Sequence, residues 1–181
     1  MASLYDVPLK RIDGSPDSLD RYKGQVLLVV NVASKCGLTP QYAALEKLYR
    51  DKHAQGLEVL GFPANDFNGQ EPGSDAEISA FCSTTYDVHF PMFSKIVVTG
   101  ADKHPLYARL TAARPTAIGD GPLRERFKTR GATPSEPPEV LWNFEKFLIG
   151  RQGEVVARFA PDVTPDDPRL TSAVDAELAR D

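Results

Sequence analysis

The chain has 181 residues, 41% of them hydrophobic, with a formal net charge of −4 and a pI near 5.4. That is the length of one domain spanning 1–181, with enough apolar material for a real core, and a weakly acidic balance offers no basic face to nucleic acid. The longest apolar stretch, around Val26–Val30, is far too short for a membrane span, and the N-terminal "MASLYDVPLKRIDG" lacks the apolar centre of a secretory signal. The expected compartment is therefore the cytoplasm. Only two cysteines are present, Cys36 and Cys82. A reducing compartment disfavours a permanent bridge between them, and no CxxC or Cys/His cluster suggests a metal site.

In chain order, "QVLLVVNVA" (25–33) is a continuous, β-branched run, the pattern of a strand buried on both faces. Thr39-Pro40 then predicts a helix start, with the hydroxyl as N-cap and proline at the first helical position. Leu45, Leu48 and Tyr49 recur at helical spacing, and Gly56 closes that helix. "LEVLGFP" (57–63) is a second buried strand, so the first three elements form a strand–helix–strand unit with a parallel pair. The polar loop 64–74 leads to a capping box of Ser74 and Glu77, opening a helix with Ile78, Phe81, Cys82 and Tyr86. "FPMFSKIVV" (90–98) predicts an extended segment into a third strand, and "HPLYARLTAA" (104–113) a short helix. Residues 114–139, rich in proline, glycine and charge, predict a long surface loop. "NFEKFLIG" (143–150) and "VVARFAP" (155–161) flank Arg151-Gln152-Gly153 as a hairpin, and a helix ends the chain. The fold class is α/β: a central sheet with helices on both faces, in thioredoxin-like order.

Cys36, in "NVASKCGLTPQY", falls just past the first strand and before the first helix. Sites in open α/β sheets form at this carboxyl end of the strands. A helix N-terminus favours an anion such as a thiolate. A thiolate alone catalyses little; were it to attack a peroxide, neutral donors would be needed to steady the leaving oxygen. The amides of Gln70 and Asn143 and the indole N–H of Trp142 are the candidates, all at loop or strand-entry positions. A small buried cysteine is the competing reading. His53, His89 and His104 lack ligand spacing and read as surface or packing residues. "RERFKTR" (124–130) reads as a solvated basic loop, though it could attract carboxylates. Phe62, Phe67 and Phe144 could rim a lipid site, but core packing explains such residues equally.

Four blocks, "NVASKCGLTPQY", "LGFPANDFNGQEPGS", "FPMFSKI" and "WNFEKFLI", closely resemble the glutathione peroxidase family in its cysteine, non-selenium form. The resemblance covers about residues 5–165 in family order. The segments "HPLY", 114–139 and "FAPDVTPDDP" look most like the bacterial thioredoxin/glutathione peroxidase subgroup. The resemblance implies a thioredoxin fold and a catalytic set of Cys36 as peroxidatic cysteine with Gln70, Trp142 and Asn143. Cys82 matches the resolving cysteine of members that use thioredoxin, which implies a transient Cys36–Cys82 disulfide. It further implies reduction of hydrogen peroxide and organic hydroperoxides in oxidative stress defence. No bound cofactor is implied, and thioredoxin or glutathione would be the reducing co-substrate. Two positions depart from the family: Ala64 stands where a third cysteine is common, and Asp66 where a glutamine is. A carboxylate at 66 aimed at the sulfur would oppose the thiolate. The alternatives are a peroxide sensor that relays its disulfide to a partner, and a non-enzymatic thioredoxin-fold binding protein. A monomer is expected. If Cys82 is the resolving cysteine, its helix sets it apart from Cys36, so the 74–90 segment is expected to unwind partly in turnover, because a disulfide needs Cα atoms within about 7 Å.

Overall fold

The computed structural model describes residues 3–180. A four-stranded sheet runs through its centre. Strand β3 (Val26–Val32) is fully buried along its length. It pairs in parallel with β4 (Leu57–Pro63), from Val26 opposite Leu57 to Val32 opposite Pro63. Its other edge pairs antiparallel with β5 (Lys146–Ile149), which pairs antiparallel with β6 (Val155–Phe159). The order is β4-β3-β5-β6, a mixed sheet. A short two-stranded hairpin, β1 (Leu9–Lys10) with β2 (Pro16–Asp17), lies apart from it.

Alternation along β3 divides the core. Leu27 and Val29 join Phe62, Phe93 and Phe147 on one face, covered by α3 (Pro105–Ala113) through Leu106, Tyr107 and Leu110. Val26, Leu28, Val30 and Val32 face the opposite way. There they meet α1 (Gln41–Lys52) through Tyr42 and Leu45, α2 (Asp75–Tyr86) through Ile78 and Cys82, and α5 (Pro168–Leu178) through Leu170 and Val174. Helices therefore cover both faces. Each fully buried Leu or Val contributes about 1.5–3 kcal/mol, so this double burial fixes the register of β3. Gly56 takes φ +110° between α1 and β4, which a side chain would resist. No helix among the described residues is long and apolar enough to cross a membrane.

Three expectations change. The 90–98 segment is extended but is no sheet strand. It touches β4 only through an isolated bridge at Gly61–Met92 and single bonds such as Ile96 N–H to the Pro63 carbonyl. Pro91 lacks a ladder donor, and the chain leaves β4 at once to bridge Arg11 through Phe93. Residues 114–139 are more than a loop: they contain α4 (Pro122–Thr129), with Pro122 at its first turn and Leu123 and Arg124 buried. Thr39 does not cap α1, which starts at Gln41 with no side-chain cap. Its hydroxyl is spent on the turn before it.

Candidate active site

That turn carries Cys36. The Thr39 hydroxyl accepts the Cys36 N–H (3.0 Å) and donates to the Ala33 carbonyl (2.8 Å). The loop is thereby folded so that Leu38 N–H donates to Cys36 Sγ at 3.3 Å. The sulfur thus meets a backbone donor at the mouth of the turn. Lys35 is exposed, and its main-chain N–H donates to the Gln70 carbonyl (3.0 Å). This bond draws the 64–74 loop onto the cysteine turn. Within that loop Asn68 and Gly69 adopt φ +55° and +60°, and Glu71 N–H donates to Asn65 Oδ1 (2.9 Å).

From the far side, Asn143 comes in at the entry to β5. Its Nδ2 donates to Gln70 Oε1 at 2.9 Å, across 73 residues of chain. With its oxygen so engaged, the Gln70 amide keeps its NH₂ for another acceptor. Trp142 packs its indole against Phe67 (centroids 5.3 Å) and Phe127 (5.0 Å), tilted to both rings. Cys36, Gln70 and Trp142 line one groove of about 880 Å³ with Leu38, Phe67, Leu123 and Phe127. Asn143 is fully buried behind it. The structure thus gathers the four sequence candidates at one end of the sheet.

The other candidates sort themselves. Asp66 borders the groove, but its Oδ2 accepts the N–H groups of Val98 (2.6 Å) and Thr99 (3.1 Å), so its carboxylate serves a backbone turn. Phe62 and Phe144 are core; Phe67 lines the groove, together with Phe127, which sequence reasoning had not singled out. The signal was the Leu123–Phe127 spacing in α4. In the basic segment, Arg126 and Arg130 line the groove, while Arg124 is buried against Asp120 and the Ser135 carbonyl. His104 caps α3, and His53 and His89 pair with Glu58 and Glu46.

Cys82 lies on α2 and is buried, and both cysteines are free. Burial pushes its thiol up to about 11, with the neighbouring Tyr42 hydroxyl acting the other way. Only Ile78 and Cys82 are buried among the twelve residues of α2. Between α2 and the cysteine turn lies a second cavity of about 280 Å³, lined by Ser34, Glu71, Ile78 and Phe81. Ser34 Oγ and Glu71 Oε2 on its wall lack an aligned hydrogen-bond partner. Burial also raises the Glu71 carboxyl above its usual range.

A thiol at the carboxyl end of a central strand, in a mixed sheet of this order, defines a thioredoxin-fold protein. Solved structures agree: a thiol:disulfide interchange protein of the thioredoxin family from Chlorobium tepidum superposes at TM-score 0.59 with 15% identity, covering 99% of both chains. Much nearer are Trgpx in apo form, at TM-score 0.73 and 34% identity over 99% of this chain and 97% of that one, and T. cruzi GPX1, at 0.72 and 32% over 99% and 100%. The family model described as glutathione peroxidase matches residues 4–111. The Escherichia coli thioredoxin/glutathione peroxidase BtuE is 50% identical over 98% of both chains, and the Synechocystis hydroperoxy fatty acid reductase gpx1 is 43% identical over 91% of this chain and 90% of its own. The chain belongs to the glutathione peroxidase family and is a peroxidase acting on hydroperoxides.

Proposed function

We propose that Cys36 is the peroxidatic nucleophile and that Cys82 resolves it. The Cys36 thiolate attacks the terminal peroxide oxygen, the O–O bond breaks, and the other oxygen leaves as water or an alcohol after taking a proton. Cys36 is left as a sulfenic acid. The free NH₂ of Gln70 and the Trp142 indole N–H steady the developing charge, with Asn143 orienting Gln70, in the manner of an oxyanion hole. The observation that carries this reading is the convergence of Cys36, Gln70 and Trp142 on one groove, with the Leu38 N–H on the sulfur.

The Cys82 thiolate then attacks the Cys36 sulfur, releasing water and forming a Cys36–Cys82 disulfide. Thioredoxin reduces it by thiol–disulfide exchange, ending with its own disulfide. The second cysteine supports thioredoxin as reductant, and the name of the E. coli relative, which gives both thioredoxin and glutathione, keeps glutathione as a further one. A disulfide that is made and reduced in every cycle suits the cytoplasm. Cys82 reaches Cys36 by partial unwinding of α2, which has few anchors and borders unpaired polar atoms that unwinding would hydrate. The apolar wall of the groove, with Arg126 and Arg130 at its edge, suits an organic hydroperoxide as well as hydrogen peroxide, as the name of the Synechocystis relative suggests.

The test is the intact mass of the reduced protein after one equivalent of hydrogen peroxide, beside Cys82→Ser. The native chain should lose about 2 Da and the variant gain about 16 or 32 Da. An identical gain in both would mean a one-cysteine cycle and point to glutathione. No change in either would exclude Cys36 as the nucleophile.

A further inference from the structure

Arg158 stands on β6, far in sequence from Cys36 and Gln70. Its side chain is 3% exposed and that of Glu145 is 1% exposed. Its Nε donates to Glu145 Oε2 at 2.6 Å, and its Nη2 lies 2.5 Å from the same oxygen. The Nη1 group donates to the carbonyls of Arg114 (2.8 Å) and Pro138 (2.9 Å), and Nη2 to that of Glu139 (3.1 Å). The guanidinium thus makes four hydrogen bonds, to one carboxylate oxygen and three carbonyls, besides the close Nη2 contact with Glu145. The flat face lies over Phe147, 4.9 Å from the ring centroid. The second oxygen of Glu145 accepts the Leu141 N–H at 3.0 Å.

These bonds tie residues 138, 139 and 141 to the β5–β6 pair, and Trp142 and Asn143 come next. Asn31, in the central strand, holds them from the other side. Its Nδ2 donates to the Trp142 carbonyl (3.1 Å), and its own carbonyl accepts the Phe144 N–H (2.6 Å). Phe144 sits at φ +68°, which a non-glycine residue keeps only where its surroundings over-determine it.

We propose that the Arg158–Glu145 ion pair positions Trp142 and Asn143 against Cys36, and so sets the rate of peroxide attack without touching peroxide. The inference rests on the peroxidatic reading of Cys36. A buried ion pair is weak support for stability, since a packed apolar pair of like volume often does as well. An apolar pair has no direction, however. A five-donor fork selects particular acceptors and thereby fixes the path of the loop. Lysine, with three donors on a flexible stem, reproduces the charge and not the fork.

Three variants test this: Arg158→Met, Arg158→Lys and Glu145→Gln. The chain has a single tryptophan, Trp142, so its emission reports on the site directly. The rate of sulfenic acid formation is expected to fall about a hundredfold in Arg158→Met, the cost of a misplacement of order 1 Å, and about tenfold in the other two. In all three the Trp142 emission should shift and its quenching by acrylamide increase, with circular dichroism unchanged. A merely structural pair would lower the melting temperature but leave the emission, and a rate within about twofold of native, in the folded protein; that result overturns the proposal. Should Arg158→Met fail to fold, the two milder variants decide by the same readouts. A native chain inert to peroxide would instead sink the peroxidatic reading, and the rate role of the pair with it.

Discussion

Removing one hydroxyl from the start of α2 should make resolution faster. Ser74 Oγ accepts the Glu77 N–H (3.2 Å), and Glu77 returns the bond to Ser74 N–H (3.0 Å), closing a capping box. Losing such an N-cap costs a helix about 1 kcal/mol, which raises its unwound fraction about fivefold. While α2 is intact, burial pushes the Cys82 thiol up to about 11, so at neutral pH it is almost wholly protonated. A freed thiol of ordinary pKa is ionised in about one molecule in ten at about pH 7.5. Unwinding therefore supplies both the reach and the ionisation that the intact helix denies Cys82. In Ser74→Ala, the sulfenic acid should convert to disulfide about fivefold faster, while Cys36 oxidises at the native rate. Rapid mixing with one equivalent of peroxide, acid quenching and intact mass would follow both steps. An unchanged or slower disulfide step in a folded Ser74→Ala protein would refute unwinding as the route.

Gln70→Ala should slow sulfenic acid formation by about a hundredfold or more, as for loss of an oxyanion donor, read by trapping with a sulfenic-acid reagent; a native rate would remove Gln70 from the site. Burial raises the folded pKa of Cys82, so the unfolded chain gives up this proton first as pH rises. The thiol thus costs stability above the unfolded pKa, with a loss of about 3 kcal/mol complete near pH 11. Urea titrations of the native chain and Cys82→Ala between about pH 9 and 11 should show that difference, and parallel curves would contradict it. Asp66→Ala should cost about 2 kcal/mol through the unpaired Val98 and Thr99 amides and leave the pH profile of Cys36 oxidation where it was. A displaced profile would mean that the carboxylate acts on the sulfur after all.

Much of the frame was legible because its signals are local. Continuous apolar runs marked β3 and β4, Ser74-x-x-Glu77 marked the start of α2, and Arg151-Gln152-Gly153 marked the β5–β6 turn. The helix at 122–129 was hidden by the proline and glycine around it, although Pro122, Leu123 and Phe127 carried a short helical pattern. The 90–98 segment has strand composition, but pairing needs a partner edge in register, and it meets β4 only at Gly61 and Pro63. For the site, residue type and loop position made Cys36, Gln70, Trp142 and Asn143 candidates, and the family resemblance implied that they form one set.

The sequence by itself determined a thiol at the end of a central strand, because burial patterns and turn chemistry act over a few residues. Only the tertiary structure decided where side chains point. It turned Thr39 back onto the Cys36 turn and sent Asp66 to the Val98 and Thr99 amides. It brought Asn143 to Gln70 and set Arg158 on Glu145 beneath the same loop. Hydrogen-bond direction depends on the register of strands that are distant in sequence, and no local pattern encodes that register.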